Sequence, residues 1–275
     1  MKKLLCLVSI LFVCGGSAPR NLSWLALGDS ITYLNDHTDE TQHRISKGYL
    51  TLITERHPRI HYINQGHNGW SAVQIAQKIE SLGLVKADVY TVFLGTNDWW
   101  QGKALGTLTD YEQHTGAETI YGSFRIILDK FKQLNASARV ILITPMQRVD
   151  FVYINNFKNQ AYGSYQEKNG QRLEQVVEAI NQIGKLEKYP VVDLYHDSDL
   201  ALEKLVRFKR LKDPQTGQYR DYPYPDFIGV PFNPDTDEYP YPKEAAALTY
   251  DGLHPSDAGY EIIADRLLSK WRGRK

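Results

Sequence analysis

Trp24-Leu25-Ala26-Leu27-Gly28-Asp29-Ser30-Ile31-Thr32 is an apolar run that stops at a polar, glycine-led turn. Short runs of this kind, bounded by turn residues, read as buried strands. Four more occur, at Ile60–Ile63, Val89–Leu94, Val140–Ile143 and Val191–Leu194. Helical patterns separate them at about Tyr49–Arg56, Ala72–Ser81, Ala117–Leu134 and Gln171–Leu186, with a last one at Asp257–Trp271. Strict β-α alternation calls for a central parallel sheet of about five strands covered by helices on both faces, an α/β/α sandwich. In such sheets the functional groups collect where strands end at their carboxyl edge.

Three successive strand ends carry polar turns. They are Gly28-Asp29-Ser30-Ile31-Thr32, then Asn64-Gln65-Gly66-His67-Asn68-Gly69-Trp70, then Gly95-Thr96-Asn97-Asp98-Trp99-Trp100. Just before the last helix stands Asp251-Gly252-Leu253-His254-Pro255, a carboxylate and an imidazole three residues apart. These pieces meet the needs of acyl transfer to a serine. A hydroxyl is a weak nucleophile until an imidazole takes its proton, and the imidazole needs a carboxylate to fix its tautomer. Ser30, His254 and Asp251 fill those roles. Donors for the oxyanion of the tetrahedral intermediate are available from the backbone N–H groups of Ser30 and Gly69 and from the amide of Asn97.

In these four blocks the sequence resembles the GDSL/SGNH hydrolase family, whose motifs appear here in order. They are the serine of Gly28-Asp29-Ser30-Ile31, the glycine of Asn64-x-Gly66-x-x-Gly69, the asparagine of Gly95-Thr96-Asn97-Asp98 and the pair Asp251-x-x-His254. The resemblance implies Ser30 as nucleophile, Asp251 and His254 as its partners, and Ser30, Gly69 and Asn97 as the oxyanion hole. It also implies the family's flavodoxin-like three-layer fold and an ester-hydrolysing activity that uses no cofactor. The family pattern favours Gly69 over Gly66 as oxyanion donor. Asp29 is open to two readings, a brace that hydrogen-bonds the serine turn or the neighbouring Asn97 loop, or an exposed turn carboxylate. The α/β-hydrolases share the chain order Ser, Asp, His but carry Gly-x-Ser-x-Gly. The nearest match, Gly69-Trp70-Ser71-Ala72-Val73, lacks the last glycine.

Composition excludes other classes. The 275 residues hold 32 Lys+Arg against 32 Asp+Glu, so there is no basic excess to bind nucleic acid. At 42% hydrophobic the chain is also too apolar for a disordered one. Lys2 and Lys3 precede an apolar run from Leu4 to Cys14 and the small residues Gly15, Gly16, Ser17 and Ala18, the outline of a signal peptide over residues 1–18. That run is 11 residues long, while a bilayer span takes roughly 20. Export to the periplasm or medium is therefore expected, with residues 19–275 as a single domain. Both cysteines, Cys6 and Cys14, lie in this leader, so its removal leaves no thiol. Lipidation at Cys14 is the alternative, and the one route to a membrane, although Val13 is bulkier than the residue lipoprotein processing generally wants.

Neither the group His196, Asp197 and Asp199 nor the group Asp235, Asp237 and Glu238 matches a metal-ligand spacing, and no metal is expected. Lys204, Arg207, Lys209, Arg210 and Lys212 read as the wet face of a helix. Seven of the 12 prolines fall between Pro214 and Pro242, within a Tyr- and Pro-rich insertion at about 197–249. That stretch cannot be a regular helix or an interior strand, and is either a wall of the site or a surface insertion. Trp70, Trp99 and Trp100 each follow a motif block and, with Asp29, are candidate substrate contacts, since indoles stack on sugar faces. A neutral, tryptophan-lined mouth suits a carbohydrate ester better than a long-chain lipid, which favours a broad apolar groove. The resemblance permits both, because the family includes carbohydrate acetylesterases, lipases, lysophospholipases and arylesterases. A carbohydrate O-acetylesterase is expected, with a lipase-like or aryl esterase as the enzymatic alternative. A carbohydrate-binding protein that kept the fold without activity is the alternative from another class.

Overall fold

Each of the five apolar runs lies in a strand of one parallel sheet, with elements numbered here in chain order. They are β1 (Leu22–Gly28), β2 (Ile60–Gly66), β3 (Val89–Phe93), β4 (Arg139–Ile143) and β7 (Val191–Val192), in spatial order β2-β1-β3-β4-β7. The computed structural model describes residues 20–271, so the leader read at residues 1–18, with Cys6 and Cys14, lies outside the described residues. The last strand is two residues shorter than expected. The N–H of Leu194 goes to the Thr144 hydroxyl at 2.9 Å instead of continuing the ladder.

Strand side chains alternate between the two faces. Trp24, Ala26, Val89 and Ile141 pack under α2 (Tyr49–Arg56) and α9 (Asp257–Trp271). Leu25, Leu27, Tyr90, Val92 and Leu142 pack under α3 (Ala72–Lys78), α6 (Ile120–Leu134) and α7 (Leu173–Glu187). Each fully buried Leu, Ile or Phe on these faces contributes about 1.5–3 kcal/mol. The starts of α3 and α6 follow from capping. Ser71 accepts from the Gln74 N–H while the Gln74 side chain reaches back to it, and Thr119 accepts from the Gly122 N–H. The Thr119 cap is why α6 begins at Ile120 rather than at Ala117.

Short helices cover the carboxyl edge of the sheet: α1 (Ser30–Tyr33), α4 (Thr96–Trp100) and α5 (Leu108–Glu112). Between β4 and α7 lies an antiparallel hairpin, β5 (Phe151–Tyr153) with β6 (Asn156–Ala161). The insertion after β7 contains α8 (Leu202–Leu205) and a second hairpin, β8 (Lys209–Lys212) with β9 (Tyr219–Tyr222). The basic run is therefore not a helix face. Only Leu202–Leu205 is helical, and in β8 the alternation is of strand type, with Lys209 and Leu211 buried. Burial of Lys209 is made tolerable by Asp150, whose Oδ2 lies 3.0 Å from its Nζ.

The tyrosines of the insertion brace the first hairpin from behind. Tyr239 donates to the carbonyl of Val152, and Tyr241 donates to the carbonyl of Asp150. The two charged groups weighed against metal-ligand spacing and set aside are tied up locally. His196 bonds Asp193, Arg266 bridges Asp197 and Asp199, and Asp235 and Asp237 face Lys158 and Lys212.

Candidate active site

The sheet order reverses between β1 and β3, the switch point at which open α/β sheets bind ligands. Ser30 opens α1 directly after β1, and Asn97 lies in α4 directly after β3. His254 reaches the same place from the turn before α9. Its Nε2 is 2.9 Å from Ser30 Oγ, and its Nδ1 is 2.7 Å from Asp251 Oδ2. An ionised carboxylate can only accept, so Nδ1 carries the proton and Nε2 is left to receive one. The second oxygen of Asp251 accepts the backbone N–H groups of Leu253 and His254, at 3.0 and 2.7 Å. Asp251 is fully buried, while Ser30 and His254 are each 5% exposed at the floor of a cleft. Phe151 meets the imidazole edge-on and Tyr250 stacks on it, fixing the ring plane. A hydroxyl, an imidazole and a carboxylate in this order can deprotonate the hydroxyl as it attacks a carbonyl.

The turn that joins this pair depends on Gly252. Its φ is +91°, and a Cβ there would stand 2.0 Å from the carbonyl oxygen of Asp150. The carbonyl of Gly252 accepts the Val149 N–H at 3.0 Å, so the pair and the β5–β6 hairpin are built as one unit.

Two of the oxyanion candidates come from neighbouring loops that are clamped together. Asn97 Nδ2 donates to the Trp70 carbonyl at 3.0 Å, and Gln101 Nε2 donates to the Gly69 carbonyl at 2.9 Å. Asp98 accepts the N–H groups of Ala72 and Val73 at the start of α3, at 2.8 and 3.2 Å. These bonds fix the Gly69 peptide over the cleft, and Gly69, at φ +77°, has open space beside it. Among the described residues the N–H groups of Ser30 and Gly69 have no acceptor. The N–H of Gly66, by contrast, is taken by Asn64 Oδ1 at 2.8 Å. A Cβ on Gly66 would fall 2.2 Å from the backbone nitrogen of Tyr33, so that glycine serves close packing against α1.

Of the four expected substrate contacts, Trp100 alone lines the cleft. Trp99 is fully buried, and its Nε1 donates to the Gln171 carbonyl at 2.8 Å, so it is core. Trp70 packs on the helix layer and stacks on His67. Asp29 is buried beneath the serine turn, where its Oδ1 caps α1 by accepting the Ile31 N–H at 3.0 Å. Burial pushes its carboxyl up to about 7, and pushes that of Asp98 up to about 6. Neither the Tyr- and Pro-rich segment nor any other part of residues 197–249 lines the cleft. Its wall is the β5–β6 hairpin, through Phe151, Tyr153, Asn159 and Ala161. Sequence reasoning also missed Gln101 and Arg148. Arg148 sits in the segment after β4, at the same carboxyl edge of the sheet as the motif turns, but one arginine there carries no sequence pattern.

The sequence profile of the GDSL-like Lipase/Acylhydrolase family matches residues 26–262. The chain belongs to this family. Family membership makes it a hydrolase acting on esters. Among solved structures, a possible lipase from Chitinophaga pinensis DSM 2588 is similar at 60% identity and TM-score 0.89, over 90% of this chain and 96% of that one. A protein from Lactobacillus plantarum shares the fold at 20% identity and TM-score 0.59, over 92% of this chain and 97% of that one. The acetyl xylan esterase AlAXEase does so at 19% identity and TM-score 0.53, over 90% and 98%. A search of curated protein sequences finds no match.

Proposed function

We propose that this GDSL-family hydrolase is an exported carbohydrate O-acetylesterase that works through an acetyl-Ser30 intermediate. The observation that carries the reading is the hydrogen-bonded series Asp251–His254–Ser30 at the floor of a small cleft. Ser30 Oγ attacks the ester carbonyl carbon as His254 Nε2 takes the hydroxyl proton. The oxyanion receives the N–H groups of Ser30 and Gly69 and the second amide hydrogen of Asn97. Collapse expels the sugar alcohol, which leaves with the proton held by His254. Water then attacks the acetyl-enzyme by the same route, releasing acetate and restoring Ser30.

Cleft size and lining favour a short acyl group on a polar alcohol. The volume is about 270 Å³, at the low end for ligand sites, and Glu40, Asn68, Gln101 and Asn159 stand among the lining residues. Trp100 offers a ring for a sugar face. The same fold serves a carbohydrate ester in an acetyl xylan esterase. Export rests on the Lys2–Lys3 pair and the apolar run after it. A lipase-like esterase is the second reading, favoured by the description of the 60% identical relative as a possible lipase.

Acetate release from a panel of acetylated polysaccharides, by the protein and by its Ser30→Ala variant, tests the proposal. Para-nitrophenyl acetate and octanoate serve as controls. Ser30-dependent acetate release from a polysaccharide is expected. Rates that rise from acetyl to octanoyl, with no polysaccharide turned over, would move the protein to the lipid esterases.

A further inference from the structure

Arg148 is 1% exposed, yet no carboxylate forms an ion pair with it among the described residues. The acidic groups that act on it are engaged elsewhere. Asp150 bonds Lys209, Tyr165 and the Gly163 N–H, and Asp251 bonds His254. Of the five guanidinium N–H donors, one at Nη2 reaches the Tyr162 carbonyl at 3.0 Å, and the buried Nε has no acceptor among the described residues. The charge lies 5.1 Å from the ring centres of both Trp99 and Trp100. Burial lowers its pKa to about 10, so it stays charged at neutral pH. The backbone is bonded on both sides to Ser164, and the guanidinium is positioned by the Tyr162 carbonyl and the two indole rings.

An unpaired buried cation is costly to a folded chain and calls for a partner. Arg148 lines the same cleft as Ser30, His254 and Asn97, so a partner can come from the substrate. A planar guanidinium with free edge donors matches a carboxylate in two parallel hydrogen bonds. Lys168, with its Nζ 4.0 Å from the Trp100 ring centre, adds positive potential at this end of the cleft. The one acidic residue lining the cleft among the described residues, Glu40, is occupied in accepting from the Tyr33 hydroxyl at 2.7 Å.

We propose that Arg148 is the specificity determinant of the cleft and binds a carboxylate on the alcohol portion of the ester, so that the substrate class is O-acetylated acidic sugars of the uronic acid type. This rests on the ester-hydrolase reading of Ser30 given above. The substrate carboxylate sits at Arg148 and its ester carbonyl at Ser30, with neutral hydroxyls toward Glu40.

The test compares an O-acetylated methyl glucuronoside with the equally acetylated methyl glucoside, a pair that differs in the carboxylate. For the wild-type protein, kcat/KM is expected to favour the glucuronoside by about tenfold or more, the usual weight of a charged hydrogen-bonded pair. Arg148→Met should bring the ratio near one, and Arg148→Lys, which keeps the charge and loses the fork, should hold an intermediate value. Equal Ser30-dependent rates on the two sugars in wild type would overturn the role of Arg148 and leave the esterase reading standing. That comparison needs no variant, so it holds even if Arg148→Met fails to fold. A binding arm covers failure of the esterase reading itself. Free glucuronate, but not glucose, should quench tryptophan fluorescence saturably in Ser30→Ala, because Trp99 and Trp100 flank the guanidinium. Quenching that is absent, or unchanged in Ser30→Ala/Arg148→Lys, would overturn the proposal whatever the hydrolysis assays show.

Discussion

His254 Nε2 stands 2.9 Å from Ser30 Oγ, although 224 positions separate the two residues in the chain. The sheet accounts for the meeting. Ser30 is held at the carboxyl end of β1, and His254 is delivered by the turn that precedes α9, which packs against that strand's face. If this contact transfers the proton, Ser30→Ala and His254→Ala should each lower kcat on para-nitrophenyl acetate by about 10⁴–10⁶-fold. In Ser30→Ala the melting temperature should change little and labelling by an organophosphonate should disappear. Residual activity within tenfold of wild type in either variant would remove the pair from the mechanism.

Asn97 is expected to act on the transition state rather than on substrate binding. Its Nδ2 already donates one hydrogen to the Trp70 carbonyl, which aims the other at the cleft. Asn97→Ala should therefore cost about 10²–10³ in kcat with a smaller change in KM. A change confined to KM would make Asn97 a substrate contact instead. Gln101→Ala, which frees the Gly69 carbonyl without touching Asn97, should lower kcat less.

The three-layer packing and the four motif turns were legible because they rest on local periodicity and on turns at strand ends. Ile60–Ile63 and Tyr49–Arg56 announce themselves by their apolar spacing. The β5–β6 hairpin gives no such signal. Asn156-Phe157-Lys158-Asn159-Gln160-Ala161 is largely exposed, and the hairpin is held by distant partners such as Tyr239 and Tyr241. Trp99 and Trp100 are alike in sequence, but neighbours on a helix point about 100° apart, so one enters the core and the other the cleft. Arg148 was invisible for a different reason. One arginine in a turn carries no pattern, and its significance lies in the charge partners it lacks.

Gly252→Ala tests whether the Asp251–His254 turn tolerates any side chain. The +91° φ alone should cost about 1–3 kcal/mol, and the Cβ would also meet the Asp150 carbonyl at 2.0 Å. A fall in melting temperature of about 4 °C or more is expected, with a loss of kcat as the His254 ring is displaced. Gly69→Ala is the control. It has a positive φ but open space around the added methyl, so its melting temperature should fall less. Equal losses in the two variants would mean that backbone strain, and not the contact with Asp150, sets the requirement at position 252.

Asp29 couples the stability of the serine turn to pH. Burial is the largest influence on its carboxyl and lifts it to about 7, against smaller opposing effects from the Ile31 N–H and from His254. The folded state then holds the proton more tightly than the unfolded chain, whose carboxyl titrates near pH 4. Stability from this group is fully present below about pH 4 and is lost as pH rises toward about 7, because folding takes up a proton across that window. Asp98, lifted to about 6 by burial, acts in the same direction. Asparagine at position 29 would still accept the Ile31 N–H, and it is as good an N-cap, but it does not ionise. The melting temperature of Asp29→Asn relative to wild type should therefore become steadily more favourable between pH 5 and pH 8, by about 5 °C or more over the range. Scanning calorimetry of both proteins across that range reads it directly. A difference that stays flat with pH would mean that Asp29 is already ionised in the folded protein at pH 5, with the Ile31 N–H and its neighbours outweighing burial.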